Sequence, residues 1–316
     1  MSAKFTDKDV PDLTGYVAIV TGGSMILIAD SVASVGNGGI GYETTRVLAQ
    51  KGARVYIAGR SAERVNKAIT DLNKLGKPLD LHFLQLDLLD LKSVKAAAAS
   101  FNAQEETLDI LINNAGDGYE TQWQANYVAP HLLTTSLLPK LLSTAARYPE
   151  KTRVRVVNVA SDLAFFGPKT IDMKDPNLTN TKGLLELQYV KAKVQRYGHS
   201  KQAIIRDAFE LNTRYASQGV TAYALHPGIV ASGLQGSDPR FIGKVTRVLS
   251  RFSGVTPLQG ALNSLYAATS PSAPKTGAGN FYVPIGKLDQ RSDKWRADAK
   301  GNAELWDQTE SKLKTV

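Results

Sequence analysis

Tyr197-Gly198-His199-Ser200-Lys201 sets a phenol and an amine four positions apart. On a helix that spacing puts both on one face, one turn from each other. A free phenol titrates near pH ~10 and is a poor base at neutrality. A neighbouring ammonium favours the phenolate and lowers that value, whereas burial alone raises it. The pair is therefore a tunable proton donor or acceptor. A surface ion-bearing pair has the same spelling, so the pattern needs company. Ser161 supplies it: the serine ends a β-branched run, and its hydroxyl can orient a substrate oxygen beside the phenol.

Such residues must be held by elements. Short β-branched runs over 16–21, 54–59, 81–87, 109–114, 153–160, 220–226 and 280–283 are predicted strands. Most are near-continuous apolar runs, as buried parallel strands should be. Helices are expected over 40–50, 62–75, 91–101, 122–146, 191–217 and 256–268. The alternation predicts an α/β fold: a Rossmann-type, doubly wound, mostly parallel sheet of about seven strands with helices on both faces. Ligands of such sheets bind beyond the carboxyl ends of the strands. Those ends carry Thr21-Gly22-Gly23, Gly59-Arg60, Asp87-Leu88, Asn113-Asn114-Ala115-Gly116, Ala160-Ser161 and His226-Pro227-Gly228. Small and polar residues gather at each, which a purely structural sheet would not need.

Composition removes several classes. The chain has 316 residues, 43% hydrophobic and 21% charged, the balance of a globular protein. One domain over 1–316 is expected, since neither an internal repeat nor a low-complexity linker is seen. No apolar run approaches the ~20 residues that cross a bilayer. Residues 1–10 mix both charge signs without an apolar stretch and do not read as a signal peptide. Cysteine is absent, which excludes disulfides, thiolate catalysis and cysteine-ligated metals and suits a reducing, cytoplasmic compartment. His82, His131, His199 and His226 have no close helical spacing, so no metal site is expected. The net charge of +9 fits an anionic cofactor or a solvated surface; no zinc-finger or RNA-binding motif accompanies it, and nucleic acid is not expected as a partner.

Taken in order, Asn113-Asn114-Ala115-Gly116, Ser161, Tyr197-x-x-x-Lys201 and Pro227-Gly228-Ile229-Val230 resemble the short-chain dehydrogenase/reductase family, over residues 16–284. Each motif is weak alone, and jointly they are specific. The resemblance implies hydride transfer between a nicotinamide and a carbonyl carbon. Tyr197 would move the proton, Ser161 would bind the same oxygen, Lys201 would hold the nicotinamide ribose and acidify Tyr197, and Asn126 would connect Lys201 to solvent. It further implies that Asp87 and Leu88 meet adenine, that Asn113, Ala115 and Gly116 wall the adenosine ribose, and that Pro227, Gly228, Val230 and Ser232 lie at the nicotinamide carboxamide. Ser232 stands where the family usually has threonine.

At the end of the second strand, Gly59 is followed by Arg60, with Arg64 one turn on and no carboxylate. A carboxylate there would bind the ribose of NAD, whereas arginine accommodates the phosphate of NADP. NADP(H) is therefore expected, with Arg60 on the phosphate; a solvated helix-start arginine is the plainer alternative.

Two departures from the family pattern stand out. Residues 24–36 interrupt the phosphate loop between Gly22-Gly23 and Gly38-Gly39-Ile40-Gly41; without them Gly22, Gly39, Ile40 and Gly41 close into the expected turn at a helix N-terminus. A second register, with a strand at 25–29 feeding Gly36-Asn37-Gly38-Gly39-Ile40-Gly41, displaces the first strand and is disfavoured. The stretch 117–121 is also shorter than the family's usual roof.

Segments 162–196 and 233–256 are expected to flank the cleft, Leu163-Ala164-Phe165-Phe166 as an apolar wall and 242–252 as an amphipathic lid. This layout resembles the retinol-dehydrogenase-like and WW-domain-oxidoreductase-like branch, which implies an apolar ketone or secondary alcohol as the small-molecule partner. Membrane-surface contact is not expected, and homo-oligomerisation stays open. The tail 285–316 reads as a terminal helix or a cap on a partner subunit. The rival reading is a catalytically silent nucleotide-binding or interaction protein of the same fold, favoured by the interrupted loop and the short roof.

Overall fold

Apolar β-branched runs become the strands, and capped amphipathic runs become the helices between them. The computed structural model describes residues 5–23, 39–116, 122–148, 152–179, 186–228, 255–274 and 279–316. In chain order these form β1 (Val17–Thr21), α1 (Ile40–Gln50), β2 (Arg54–Gly59), α2 (Ala62–Asn73), β3 (Leu81–Gln85), α3 (Leu91–Gln104), β4 (Ile110–Asn113), α4 (Ala129–Arg147), β5 (Val154–Val159), α5 (Glu186–Tyr215), β6 (Val220–Leu225), α6 (Pro257–Thr269), β7 (Phe281–Val283), β8 (Lys287–Leu288) and α7 (Ala299–Leu313). Helix starts carry the expected chemistry. Ser61 and Asp90 accept from the first-turn N–H groups of α2 and α3, and Thr256 with Gln259 forms a capping box ahead of Pro257 on α6.

The sheet has eight strands in the order β3-β2-β1-β4-β5-β6-β7-β8. All pairings are parallel except β7 with β8. The additional strand is a two-residue antiparallel edge, too short to show in the sequence pattern. Order reverses between β1 and β4, and that reversal opens a crevice at their carboxyl ends. One apolar layer joins the sheet to α3, α4, α5 and α7, and another joins it to α1 and α6 on the opposite face.

The tail packs as a terminal helix: Trp295, Leu305, Trp306 and Leu313 are buried in the first layer, and α7 lies against α5. Its polar anchors are internal too. His131 on α4 is fully buried between Asp207 of α5 (2.6 Å) and Glu310 of α7 (2.8 Å). Arg206 of α5 donates to Asp298 and Asn302. Among the described residues no helix is long and apolar enough to cross a membrane.

The expected helix over 122–146 is not uniform. Gln124–Val128 is a π-helical turn ahead of α4, with Ala129 N–H reaching the Gln124 carbonyl. Pro130 accounts for this, since it has no N–H to return to the carbonyls four or five residues back. The residues 24–36, 117–121, 233–254 and the expected helix 242–252 lie outside the described residues, as does the alternative strand at 25–29.

Candidate active site

Ser161 follows β5 by two residues and caps a 3-10 turn over Asp162–Phe166. Its Oγ accepts the Leu163 N–H at 3.2 Å. With a lone pair so occupied, the hydroxyl proton is free to face the neighbouring Tyr197 phenol, whose pKa Ser161 lowers. Close packing sets this pairing. A Cβ on Gly198 would overlap the Leu163 carbonyl oxygen and fall 2.7 Å from Gly167 N. Only a glycine at 198 lets the turn carrying Ser161 lie flat on α5 beside Tyr197.

Lys201 lies one turn on from Tyr197 and is buried, its Nζ donating to the carbonyl of Val159 at 2.8 Å. Its Nζ is 5.6 Å from the Tyr197 ring centre. Burial lowers the Lys201 amine to about 8. Burial also pushes the Tyr197 phenol up to about 12, and the Ser161 hydrogen bond pulls it only part of the way back. The resemblance implies an acidified phenol, whereas burial in this structure moves Tyr197 upward. Burial is the larger cause for the phenol, and the Lys201 amine, bonded to the Val159 carbonyl, is itself lowered by burial.

Asn126 sits in the π-helical turn, buried, and its Nδ2 donates to Ser200 Oγ at 3.1 Å. Ser200 Oγ in turn donates to the Tyr197 carbonyl at 2.8 Å. Gly116 completes the group: a Cβ there would lie 2.7 Å from Asn126 Oδ1 and 3.4 Å from Lys201 Nζ. The four residues expected to be catalytic, drawn from the turn after β5, α5 and the π-helical turn, are thus gathered at one end of the sheet.

The halves of the interrupted phosphate loop also meet. Gly22 adopts a left-handed φ of +68°, and a Cβ on Gly41 would fall 2.6 Å from the Gly22 carbonyl oxygen. Gly39 is the N-cap of α1, without a side-chain cap, and a Cβ on it would meet no described atom within 4 Å. Among the described residues, a tight turn, uncapped N–H groups at Ile40 and Gly41, and no atom crowding Gly39 fit a pyrophosphate at this helix start.

Two residues not assigned from sequence fasten that crevice. Thr21 Oγ1 accepts from the N–H groups of Asn114 (3.0 Å) and Ala115 (2.9 Å), and Asn114 Nδ2 donates to the Thr21 carbonyl. Their position at adjoining strand ends was the available signal. Asn113 turns the other way: buried, it donates to Thr134 and Asn158, so only its backbone faces the crevice edge.

Arg60 and Arg64 are exposed at the end of β2 and the start of α2, and no carboxylate pairs with either among the described residues. Gln85 steadies the strand end by donating to the Arg60 carbonyl at 3.2 Å. Asp87 and Leu88 follow β3, with Asp87 Oδ1 accepting from Leu89 N–H. Pro227 and Gly228 follow β6, Gly228 at φ +92°. Val230 and Ser232 lie outside the described residues. The expected apolar wall divides. Phe165 stacks on Trp295 at 4.8 Å and packs on the core, while Leu163 and Phe166 remain exposed, Phe166 at 63%.

Comparison with known proteins bears on this arrangement. A family model described as short chain dehydrogenase matches residues 32–171. The chain is 39% identical over 293 residues to an uncharacterized oxidoreductase of Schizosaccharomyces pombe, covering 88% of this chain and 79% of that protein. It is 37% identical over 327 residues to the short-chain dehydrogenase/reductase drtF of Aspergillus calidoustus, covering 96% of each. Among solved structures, NADPH-bound carbonyl reductase from chicken fatty liver superposes with a TM-score of 0.63 at 22% identity, over 92% of this chain and 99% of that one. The RhlG/NADP active-site complex of Pseudomonas aeruginosa has a TM-score of 0.63 at 23% identity, over 87% and 96%. These two likenesses show the shared fold.

Proposed function

The chain belongs to the short-chain dehydrogenase/reductase family, a family of nicotinamide-dependent oxidoreductases, and from that premise we propose that it reduces an apolar ketone to a secondary alcohol with NADPH. The observation that carries this reading is the gathering of Ser161 and Tyr197 beside buried Lys201 and Asn126. When bound, the nicotinamide would supply the hydride to the carbonyl carbon. Ser161 then hydrogen-bonds the carbonyl oxygen, and Tyr197 gives that oxygen its proton as negative charge develops, so that ketone, hydride and proton sum to the alcohol. A phenol raised to about 12 is protonated throughout the neutral range, which suits a donor and hence reduction. Lys201 would hold the ribose, and Asn126 would relay the replacement proton toward solvent.

Arg60 supports the choice of NADP(H), since an exposed arginine at the second strand's end is placed as a phosphate ligand would be, with Arg64 one turn on. Leu163 and Phe166, exposed beside Ser161, support an apolar substrate. The test is Tyr197→Phe assayed with NADPH over a panel of apolar ketones. Turnover is expected to vanish while NADPH titration, read by nicotinamide fluorescence, stays near the wild-type value. Retained turnover sinks the assignment. Wild-type binding of NADPH without turnover on any carbonyl would favour the silent nucleotide-binding reading instead.

A further inference from the structure

His199 lies between Tyr197 and Lys201 in sequence, yet the proton-transfer chemistry makes no use of it. Its side chain is fully buried and points away from bulk water. Both ring nitrogens are engaged by one stretch of chain. Nε2 accepts from the Asp172 N–H at 3.1 Å, and Nδ1 lies 3.0 Å from the Pro176 carbonyl. These contacts settle the tautomer. A nitrogen facing an N–H must carry the lone pair, so Nε2 is bare, and Nδ1 carries the proton that Pro176 accepts. Burial lowers the imidazole's pKa and keeps this neutral form.

The ring has a third neighbour. Trp123, at the start of the helical stretch that holds Asn126, stacks on it with centroids 4.7 Å apart and planes at 29°. Just before it in sequence, Gly198 receives the turn that carries Ser161. The 172–176 stretch has no regular hydrogen-bonded structure of its own. Its further ties include Asp172 Oδ1 accepting from Lys174 and Asp175 N–H groups, and Lys312 of α7 donating to the Met173 carbonyl.

We propose that His199 is a positioning residue: its two ring nitrogens pin the 172–176 stretch onto α5, and its stack on Trp123 ties that stretch to the segment bearing Asn126. This rests on the oxidoreductase reading for its consequence, substrate placement, but not for the pinning itself. A neutral imidazole with a donor at one nitrogen and an acceptor at the other is the only ring side chain that satisfies both backbone groups.

The experiment separates the two levels. Side-chain 15N NMR of the wild-type protein is expected to show the Nδ1–H tautomer for His199; an Nε2–H tautomer or an imidazolium overturns the proposal. His199→Phe keeps a stacking ring and removes both hydrogen bonds. Amide exchange at Asp172 should then speed up by roughly tenfold or more without global unfolding. His199→Gln, whose oxygen reaches the Nε2 position, should restore protection at Asp172, and His199→Asn, which offers an N–H near the Nδ1 position, should not. Unchanged exchange in His199→Phe overturns the pinning. Exchange and NMR need no turnover, so a wild-type protein inactive on every ketone would sink the oxidoreductase reading and leave these readouts decisive. With turnover, His199→Phe should raise KM for ketone by about tenfold, with kcat within a few-fold and NADPH affinity unchanged. Equal losses in kcat and NADPH affinity would mark a general packing role and overturn the proposal. If His199→Phe does not fold, the tautomer and the Gln–Asn contrast at Asp172 decide.

Discussion

The Lys201 ammonium donates to the backbone carbonyl of Val159 at 2.8 Å while its nitrogen stands 5.6 Å from the centre of the Tyr197 ring. The amine is thus fixed by the last residue of β5 and not by the phenol one turn away. Held there, in a buried position, it is lowered to about 8. This sets a proton equilibrium inside the range where the protein would be assayed.

NADPH affinity of the free protein should therefore depend on pH. Below about 8 Lys201 is charged and would attract an anionic cofactor; above it the charge is lost, because its pKa is depressed by burial. The dissociation constant, read by nicotinamide fluorescence, is expected to rise severalfold as pH climbs past that value. Lys201→Met should bind weakly and show no step there. A wild-type profile flat through this range would contradict the assignment.

Gly198→Ala is expected to disable chemistry without unfolding the chain. The added Cβ would collide with the Leu163 carbonyl and with Gly167 N, so the turn must lift off α5 and carry Ser161 away from Tyr197. Misplacing a reacting group by about 1 Å can cost on the order of 100-fold. A kcat that falls by that order, with an unchanged circular-dichroism spectrum and near-normal NADPH binding, is the expected result. Wild-type kcat in the alanine variant would show that the turn tolerates the displacement.

Arg60→Ala tests cofactor choice. An exposed arginine that no carboxylate engages among the described residues is free to meet a ribose phosphate. The substitution should weaken NADPH by roughly tenfold or more and leave NADH nearly unchanged, as expected of a charge-assisted contact worth about 1.5–3 kcal/mol. Equal losses for both cofactors would place the phosphate elsewhere.

His131 predicts a pH dependence of stability. Burial opposes its charge, but Asp207 and Glu310 outweigh that cost and raise the imidazole from 6.5 to about 9. A raised basic group stabilises the fold fully below its unfolded value and loses that contribution as pH rises through the folded one. The melting temperature should fall by several degrees between pH 6.5 and about 9. His131→Gln should melt lower at pH 7 and lose this slope, because the imidazole whose charge Asp207 and Glu310 sustain would be gone. A wild-type melting temperature constant over that window would show that the imidazole is not held charged between α4, α5 and α7.

Much of the fold was legible locally. The first helix runs over 40–50 and the second strand over 54–59, both as expected, since periodicity and β-branching act over neighbouring residues. Helix ends differ by a few residues from expectation: the second helix stops at Asn73, short of 75, and the third runs on to Gln104, past 101. The π-helical turn at Asn126 was missed, although Pro130 was a usable clue.

At the site, Tyr197, Ser200 and Lys201 were fixed relative to one another by helix geometry, because a four-residue spacing leaves no other arrangement. Amino-acid identity likewise determined which chemistry was available: a phenol, an amine and a hydroxyl, with no thiol. Whether Ser161 would reach Tyr197 was decided by the contact between Gly167 and Gly198, which sequence distance hides. The rise of the phenol to about 12, the fall of the amine to about 8 and the inward turn of Asn113 were decided by tertiary burial. Desolvation depends on everything that surrounds a group, and those surroundings come from strands and helices far away along the chain.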